Sequence, residues 1–251
     1  MKKNTSVLIK KKITSFNKNI TVESDKSISH RSLLIASQCL GASSINNILE
    51  SEDVKNTIIC LKKLGVKILK KNKKYIVYGN GFASFKKPKN NFLYAGNSGT
   101  LARMIFPLLG TQANFRVKVS GDKSLNSRDM RRIIEPLSKI GCNFYPKNKT
   151  TLPLTIEGTS IPLAQKHNET IGSAQVKSAI LLAALNTPGI TQILVSKKSR
   201  DHTENLLKEI KADIKIQKIK KKYLISLKGQ KNLYNFNLNI PGDPSSAAPF
   251  I

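Results

Sequence analysis

Gly96-Asn97-Ser98-Gly99-Thr100-Leu101-Ala102-Arg103 reads as the opening of a helix. Ser98 is a residue type that caps a first turn, Gly99 removes a side chain there, and Arg103 follows one turn later. Two other stretches share this design: Asp25-Lys26-Ser27-Ile28-Ser29-His30-Arg31 and Ser173-Ala174-Gln175-Val176-Lys177-Ser178. They predict helices over 27–39, 98–109 and 173–185, whose starts lie 71 and 75 residues apart.

Working outward, each helix is followed by the same series. Short strands are expected at 43–48, 115–120 and 191–196, then second amphipathic helices at 52–64, 128–140 and 200–211. In the first of these, Val54, Ile58, Cys60, Leu61 and Leu64 approximate one apolar stripe. Strand pairs close each unit at 66–69 with 75–78, 143–145 with 152–156, and 214–219 with 223–227. Gly65 and Gly141 stand where helix C-caps place glycine. A unit of about 73 residues therefore recurs three times. Pro241-Gly242-Asp243-Pro244-Ser245-Ser246-Ala247 looks like a fourth opening, and Ser245 lies 72 residues beyond Ser173. The chain stops at Ile251, within the first turns of that helix, so a truncated polypeptide is expected.

The openings share chemistry as well as spacing. The first turn of a helix presents unpaired N–H groups and the positive end of the dipole, which suits anions. Arg31 and Arg103 each lie four residues after a small residue, Ser27 and Gly99, and Gly99 leaves room for a ligand against backbone. Arg128 and Arg200 are expected at the starts of the second helices. One serine at a helix start is ordinarily just a cap. Five basic-plus-hydroxyl openings at matched spacing point instead to a ligand with more than one anionic group.

Composition narrows the alternatives. The 251 residues are 39% hydrophobic, enough for one large or two small domains, and ten Pro with fourteen Gly exclude collagenous and low-complexity classes. The longest apolar runs fall short of a membrane span, no leader pattern opens the chain, and Cys39, Cys60 and Cys142 are too scattered for a disulfide framework or zinc site. A soluble cytoplasmic protein is expected. The net charge of +28 suggests nucleic acid, yet only seven of the 43 basic residues are Arg and the Lys is dispersed among Asn and Ile. A solvated, codon-biased surface explains it more simply. The few Arg are then the better guide, because bidentate recognition of phosphate cannot pass to Lys without loss. His30, His167 and His202 show no metal spacing and read as structural or surface residues, His202 standing near the site.

With these residues in view, the sequence resembles the 5-enolpyruvylshikimate-3-phosphate synthase family. The stretches that carry the resemblance are 25–31 (DKSISHR), 96–103 (GNSGTLAR), 121–136 (GDKSLNSRDMRRIIEP), 173–184 (SAQVKSAILLAA), 199–204 (SRDHTE) and 241–248 (PGDPSSAA), in the family's order. The resemblance implies an α/β fold, an αβ prism of βαβαββ units in two domains. Residues 21–240 would form the first domain, with 1–20 and 241–251 belonging to the second. It implies transfer of enolpyruvyl from phosphoenolpyruvate to the 5-hydroxyl of shikimate 3-phosphate, with no cofactor, no required metal and a monomeric full-length enzyme.

Carried over by position, the resemblance gives Lys26 a catalytic role in contact with both substrates. Ser27, Arg31, Ser173, Ala174 (through backbone), Gln175 and Arg200 would bind shikimate 3-phosphate, while Asn97, Gly99 and Arg128 would serve phosphoenolpyruvate. Gly99 would also leave room for glyphosate as an inhibitor. The family's acid/base carboxylates belong to its second half, so these 251 residues alone would be inactive. Other readings remain. A UDP-N-acetylglucosamine enolpyruvyl transferase shares the fold, but no reactive-Cys loop is visible, Cys142 falling in an expected strand. An RNA 3′-phosphate cyclase lacks the Ser-Ala-Gln-Val-Lys-Ser pattern. A basic nucleic-acid-binding protein, and a half-protein that binds ligand without chemistry, complete the set.

Overall fold

The computed structural model describes residue 19 and residues 21–248. Apart from residue 19, the segment expected at 1–20 lies outside the described residues, as do the last three residues of the 241–251 segment.

The first unit runs α1 (Lys26–Ala36), β1 (Leu40–Asn46), α2 (Glu52–Lys63), β2 (Lys67–Lys71) and β3 (Lys74–Asn80). The second runs β4 (Phe92–Tyr94), α3 (Gly99–Gly110), β5 (Arg116–Ser120), a short α4 (Lys123–Asn126), α5 (Arg131–Ile140), β6 (Asn143–Tyr145) and β7 (Leu154–Glu157). The third runs β8 (Lys166–Glu169), α6 (Ala174–Leu185), β9 (Ile190–Val195), α7 (His202–Glu209), β10 (Ile214–Ile219) and β11 (Lys222–Lys228), followed by β12 (Asn237–Asn239) and α8 (Pro244–Ala247). The threefold series of helix, strand, helix, strand, strand is present.

Three features depart from the expected series. Each sheet has a fourth, leading strand that periodicity missed, because β4, β8 and β12 are three or four residues long with at most two buried side chains. The helix expected over 128–140 starts three residues late: Asp122 caps a separate short α4 through Leu125 N–H (2.7 Å), Asp129 accepts from Arg131 N–H (2.8 Å), and α5 starts at Arg131, leaving Arg128 in the link. The helix expected from residue 200 starts at His202. Smaller shifts put β1 three residues earlier than expected and Cys142 in the α5–β6 link rather than in a strand.

The sheets share one order: β12-β1-β3-β2, β4-β5-β7-β6 and β8-β9-β11-β10. In each, the leading strand is parallel to its neighbour and the other pairs are antiparallel. The first sheet takes its leading strand from the far end of the chain, which closes the three units into a ring.

Two helix classes follow from burial. α1, α3 and α6 are buried almost all round, as with the unbroken run Lys177–Leu185, so they occupy the interior. α2, α5 and α7 bury one face each; α5 buries Ile133, Leu137 and Ile140. Gly65 (φ +87°) and Gly141 (φ +114°) close α2 and α5 in the left-handed conformation that glycine alone adopts cheaply.

Candidate anion-binding site

At α1 the cap is Asp25, which accepts from Ile28 N–H (2.8 Å), rather than Ser27. Lys26 and Ser27 therefore lie inside the first turn. The exposed Lys26 Nζ is 3.0 Å from Asp53 Oδ2 at the start of α2. One turn on, Arg31 is only 3% exposed. Its Nε donates to Thr203 Oγ1 (2.8 Å), its Nη1 to Ser27 O (2.9 Å) and its Nη2 to Ser178 Oγ (3.1 Å). Burial pushes Arg31 down to about 10, against the opposing pull of Glu204 and Asp25, so it keeps its charge at neutral pH.

At α3 Ser98 is the cap, accepting from Leu101 N–H at 3.2 Å. A Cβ on Gly99 would stand 3.1 Å from Arg103 Nη1 and 3.2 Å from Arg128 Nη1, so this backbone turns a bare face to two guanidinium groups. Asn97 ties the arrangement together: its Oδ1 accepts from Arg128 Nη2 (2.6 Å) and its Nδ2 donates to Asp122 Oδ2 (2.7 Å). Burial lowers Arg103 first, then the like charges of Arg128 and Arg132, with Asp129 opposing. Cations gathered beyond their local counter-charge favour an incoming anion.

α6 joins these parts. Ser173 caps it, accepting from Val176 N–H (3.3 Å). Gln175 Oε1 accepts from Arg103 Nη1 (2.9 Å) and its Nε2 donates to Thr100 Oγ1 (3.2 Å). Ala174 contributes backbone, its carbonyl accepting from Ser178 Oγ at 2.7 Å. The buried Glu169 carboxylate holds the turn before the helix by accepting from Ile171, Gly172 and Ser173 N–H at 3.0–3.2 Å. A cavity of about 330 Å³ opens here, bounded by Arg103, Asp129, Arg132, Ser173 and Gln175.

Nine of the ten residues singled out thus lie on or beside the starts of α1, α3 and α6, with Arg128 joined through Asn97. Arg200 is off those helix starts: it is exposed and donates to Ser245 Oγ on α8 at 2.7 Å, though its charge still acts on Arg31. Asp53, Arg132, Glu169 and Thr203 were missed. Asp53 in a first helical turn looks like an ordinary dipole partner, and the others acquire roles only through tertiary placement; Arg103 alone had a signal, its spacing from Gly99.

The histidines behave as framework. His30 shares a hydrogen bond with Thr57 Oγ1 (2.7 Å), and burial pushes it down to about 3. His167 and His202 are also lowered by burial. All three cysteines are buried, which pushes each thiol up to about 12 and leaves no activated thiolate. Among the described residues no helix is long and apolar enough to cross a membrane.

Comparison with known proteins agrees with this geometry. Residues 10–251 match the family model described as EPSP synthase (3-phosphoshikimate 1-carboxyvinyltransferase). The chain is 43% identical over 240 residues to the 3-phosphoshikimate 1-carboxyvinyltransferase of Petrotoga mobilis, covering 94% of this chain and 54% of that protein. Against the same enzyme from a Sulfurihydrogenibium species the identity is 39% over 241 residues, covering 96% and 55%. The solved EPSP synthase of Acinetobacter baumannii superposes with a TM-score of 0.83 at 37% identity, over 92% of this chain and 51% of that one. The chain spans about half the length of the curated relatives it matches.

Proposed function

The chain belongs to the EPSP synthase family, and on that footing we propose that it forms one substrate-binding wall of an enzyme that transfers enolpyruvyl from phosphoenolpyruvate to the 5-hydroxyl of shikimate 3-phosphate. The observation that carries this reading is the first turn of α6. Gln175 on it meets Arg103 and Thr100 of α3, and Ser178 meets Arg31 of α1, so two arginines from neighbouring helix starts are both tied to α6.

In this reading shikimate 3-phosphate lies along Ser27, Arg31, Ser173, the Ala174 backbone and Gln175, with Arg200 released from Ser245 to meet its phosphate. Phosphoenolpyruvate lies against Gly99 and Arg128, with Asn97 fixing the arginine. Lys26 exchanges Asp53 for the substrate anions. Arginine forks pair with phosphate and carboxylate through charge-assisted hydrogen bonds, worth about 1.5–3 kcal/mol each. The substrate 5-oxygen adds to C2 of phosphoenolpyruvate as C3 gains a proton. The tetrahedral ketal then loses phosphate and a C3 proton. The groups that move those protons belong to the second half of the enzyme, and the site needs neither metal nor organic cofactor.

We also propose that residues 21–240 form the first domain and that the chain passes to a second at both ends. Asp25 N–H donates to Pro241 O (2.9 Å) and Asp243 N–H to Glu23 O (2.8 Å), so the two connections run side by side. Closure at that hinge would exclude water. The enzyme is proposed to be cytoplasmic and monomeric, with glyphosate held on the Gly99 side. The absence of an activated thiol favours this reading over the UDP-N-acetylglucosamine enzyme. The test is phosphate release by the full-length protein: it should require both shikimate 3-phosphate and phosphoenolpyruvate, and release with UDP-N-acetylglucosamine in place of the former would overturn the assignment.

A further inference from the structure

The surroundings of Arg31 contain more than a binding arginine requires. A guanidinium carries five N–H donors. In Arg31 three of them meet protein acceptors, on Thr203, Ser27 and Ser178. One donor then remains on each terminal nitrogen, enough for two hydrogen bonds to a carboxylate or phosphate. Two acceptors come from a hydroxyl pair that spans two helices, since Ser178 on α6 and Thr203 on α7 share a hydrogen bond of 2.7 Å. Ser178 gives its single proton to Ala174 O (2.7 Å), so Thr203 is the donor between them and accepts from Arg31 on a lone pair. The order of protons is fixed from the α6 backbone to the guanidinium.

Beside this chain lies a second link between the same helices. Lys177 Nζ of α6 is 2.6 Å from Glu204 Oε1 of α7, with side-chain exposures of 4% and 2%. A buried ion pair is weak support for stability, because desolvation offsets its attraction, but it holds a separation strictly: removing one partner strands the other charge.

We propose that Thr203 and Ser178 are positioning residues that aim the two free donors of Arg31 at the anionic substrate, and that the Lys177–Glu204 pair fixes the α6–α7 spacing on which that aim depends. Without the hydroxyls Arg31 would keep its charge but lose its orientation, and the ligand would have to supply the ordering. This rests on the reading of Arg31 as a shikimate 3-phosphate ligand.

The test is steady-state kinetics of the full-length protein carrying Thr203→Val, Thr203→Ser or Ser178→Ala. Thr203→Val keeps the shape and removes the hydroxyl. The KM for shikimate 3-phosphate should rise about tenfold, the lower end of what one hydrogen bond to a charged group is worth. The KM for phosphoenolpyruvate and kcat should stay within about twofold, and Thr203→Ser should restore the affinity. An unchanged KM in a folded Thr203→Val protein, a rise shared by both substrates, or a loss that Thr203→Ser fails to repair would each overturn the proposal. If Thr203→Val does not fold, Ser178→Ala carries the same comparison. An unmodified protein that does not bind shikimate 3-phosphate would fail the functional reading itself and take this proposal with it.

Discussion

His30 shows what one buried side chain does to the whole protein. Its folded value, about 3, lies far below the 6.5 of an unfolded histidine. Between those values the unfolded chain binds the additional proton, so stability falls as pH falls through the window. From pH 6.5 to 5 this contributes a loss of up to about 2 kcal/mol. Urea unfolding of His30→Asn should show a shallower fall over that range than the unmodified protein; parallel curves would contradict the burial argument. Gly99 works through space rather than charge. An alanine methyl would stand 3.1–3.2 Å from two guanidinium ends, which can give way but only by shifting from where they now lie. Gly99→Ala should therefore weaken glyphosate inhibition of the full-length enzyme by tenfold or so, and an unchanged inhibition constant would contradict it.

At the scale of elements, the helix openings were legible and their partners were not. Ser98 and Ser173 cap α3 and α6 as their residue types suggest. Gly65 and Gly141 end their helices for a purely local reason, a left-handed backbone. Arg128 defied the same kind of reading because a short α4 precedes it and Asp129 accepts from Arg131 N–H, so that α5 begins only at Arg131, three residues later than expected. β4, β8 and β12 were invisible since a strand of three or four residues has almost no periodicity to show. Glu169 was missed because an isolated Glu announces nothing until the chain folds its own N–H groups around it. Glu169→Ala would leave three donors of the α6 approach without their acceptor, costing about 2 kcal/mol. Urea unfolding should show that loss together with weaker shikimate 3-phosphate binding; a variant unaffected in both would remove the cradle from the account.

Across the whole molecule, the threefold repeat is enforced by sterics as much as by hydrophobic pattern. Gly79, Gly158 and Gly229 occupy matching places after or within the last strand of each unit. A Cβ there would meet backbone carbonyls of the turn just after the interior helix of that unit: Cys39 O at 2.2 Å, Gln112 O at 2.1 Å and Thr187 O at 2.0 Å. These are backbone atoms that cannot move aside, so Gly229→Ala should destabilise by about 3 kcal/mol or more. A midpoint of urea unfolding within error of the unmodified protein would refute that. The repeat sets the three interior helix starts on one face, and the hydrogen bonds of Arg31, Arg103 and Gln175 join them there.

That convergence is the central claim, and the most direct test of it is calorimetric titration of shikimate 3-phosphate into the full-length protein and its Arg31→Lys variant. Lysine keeps the charge but cannot make three bonds to the protein and still present a fork. The account predicts saturable binding at one site, weakened at least about tenfold in the variant. Absence of binding, or equal binding by both proteins, would contradict it.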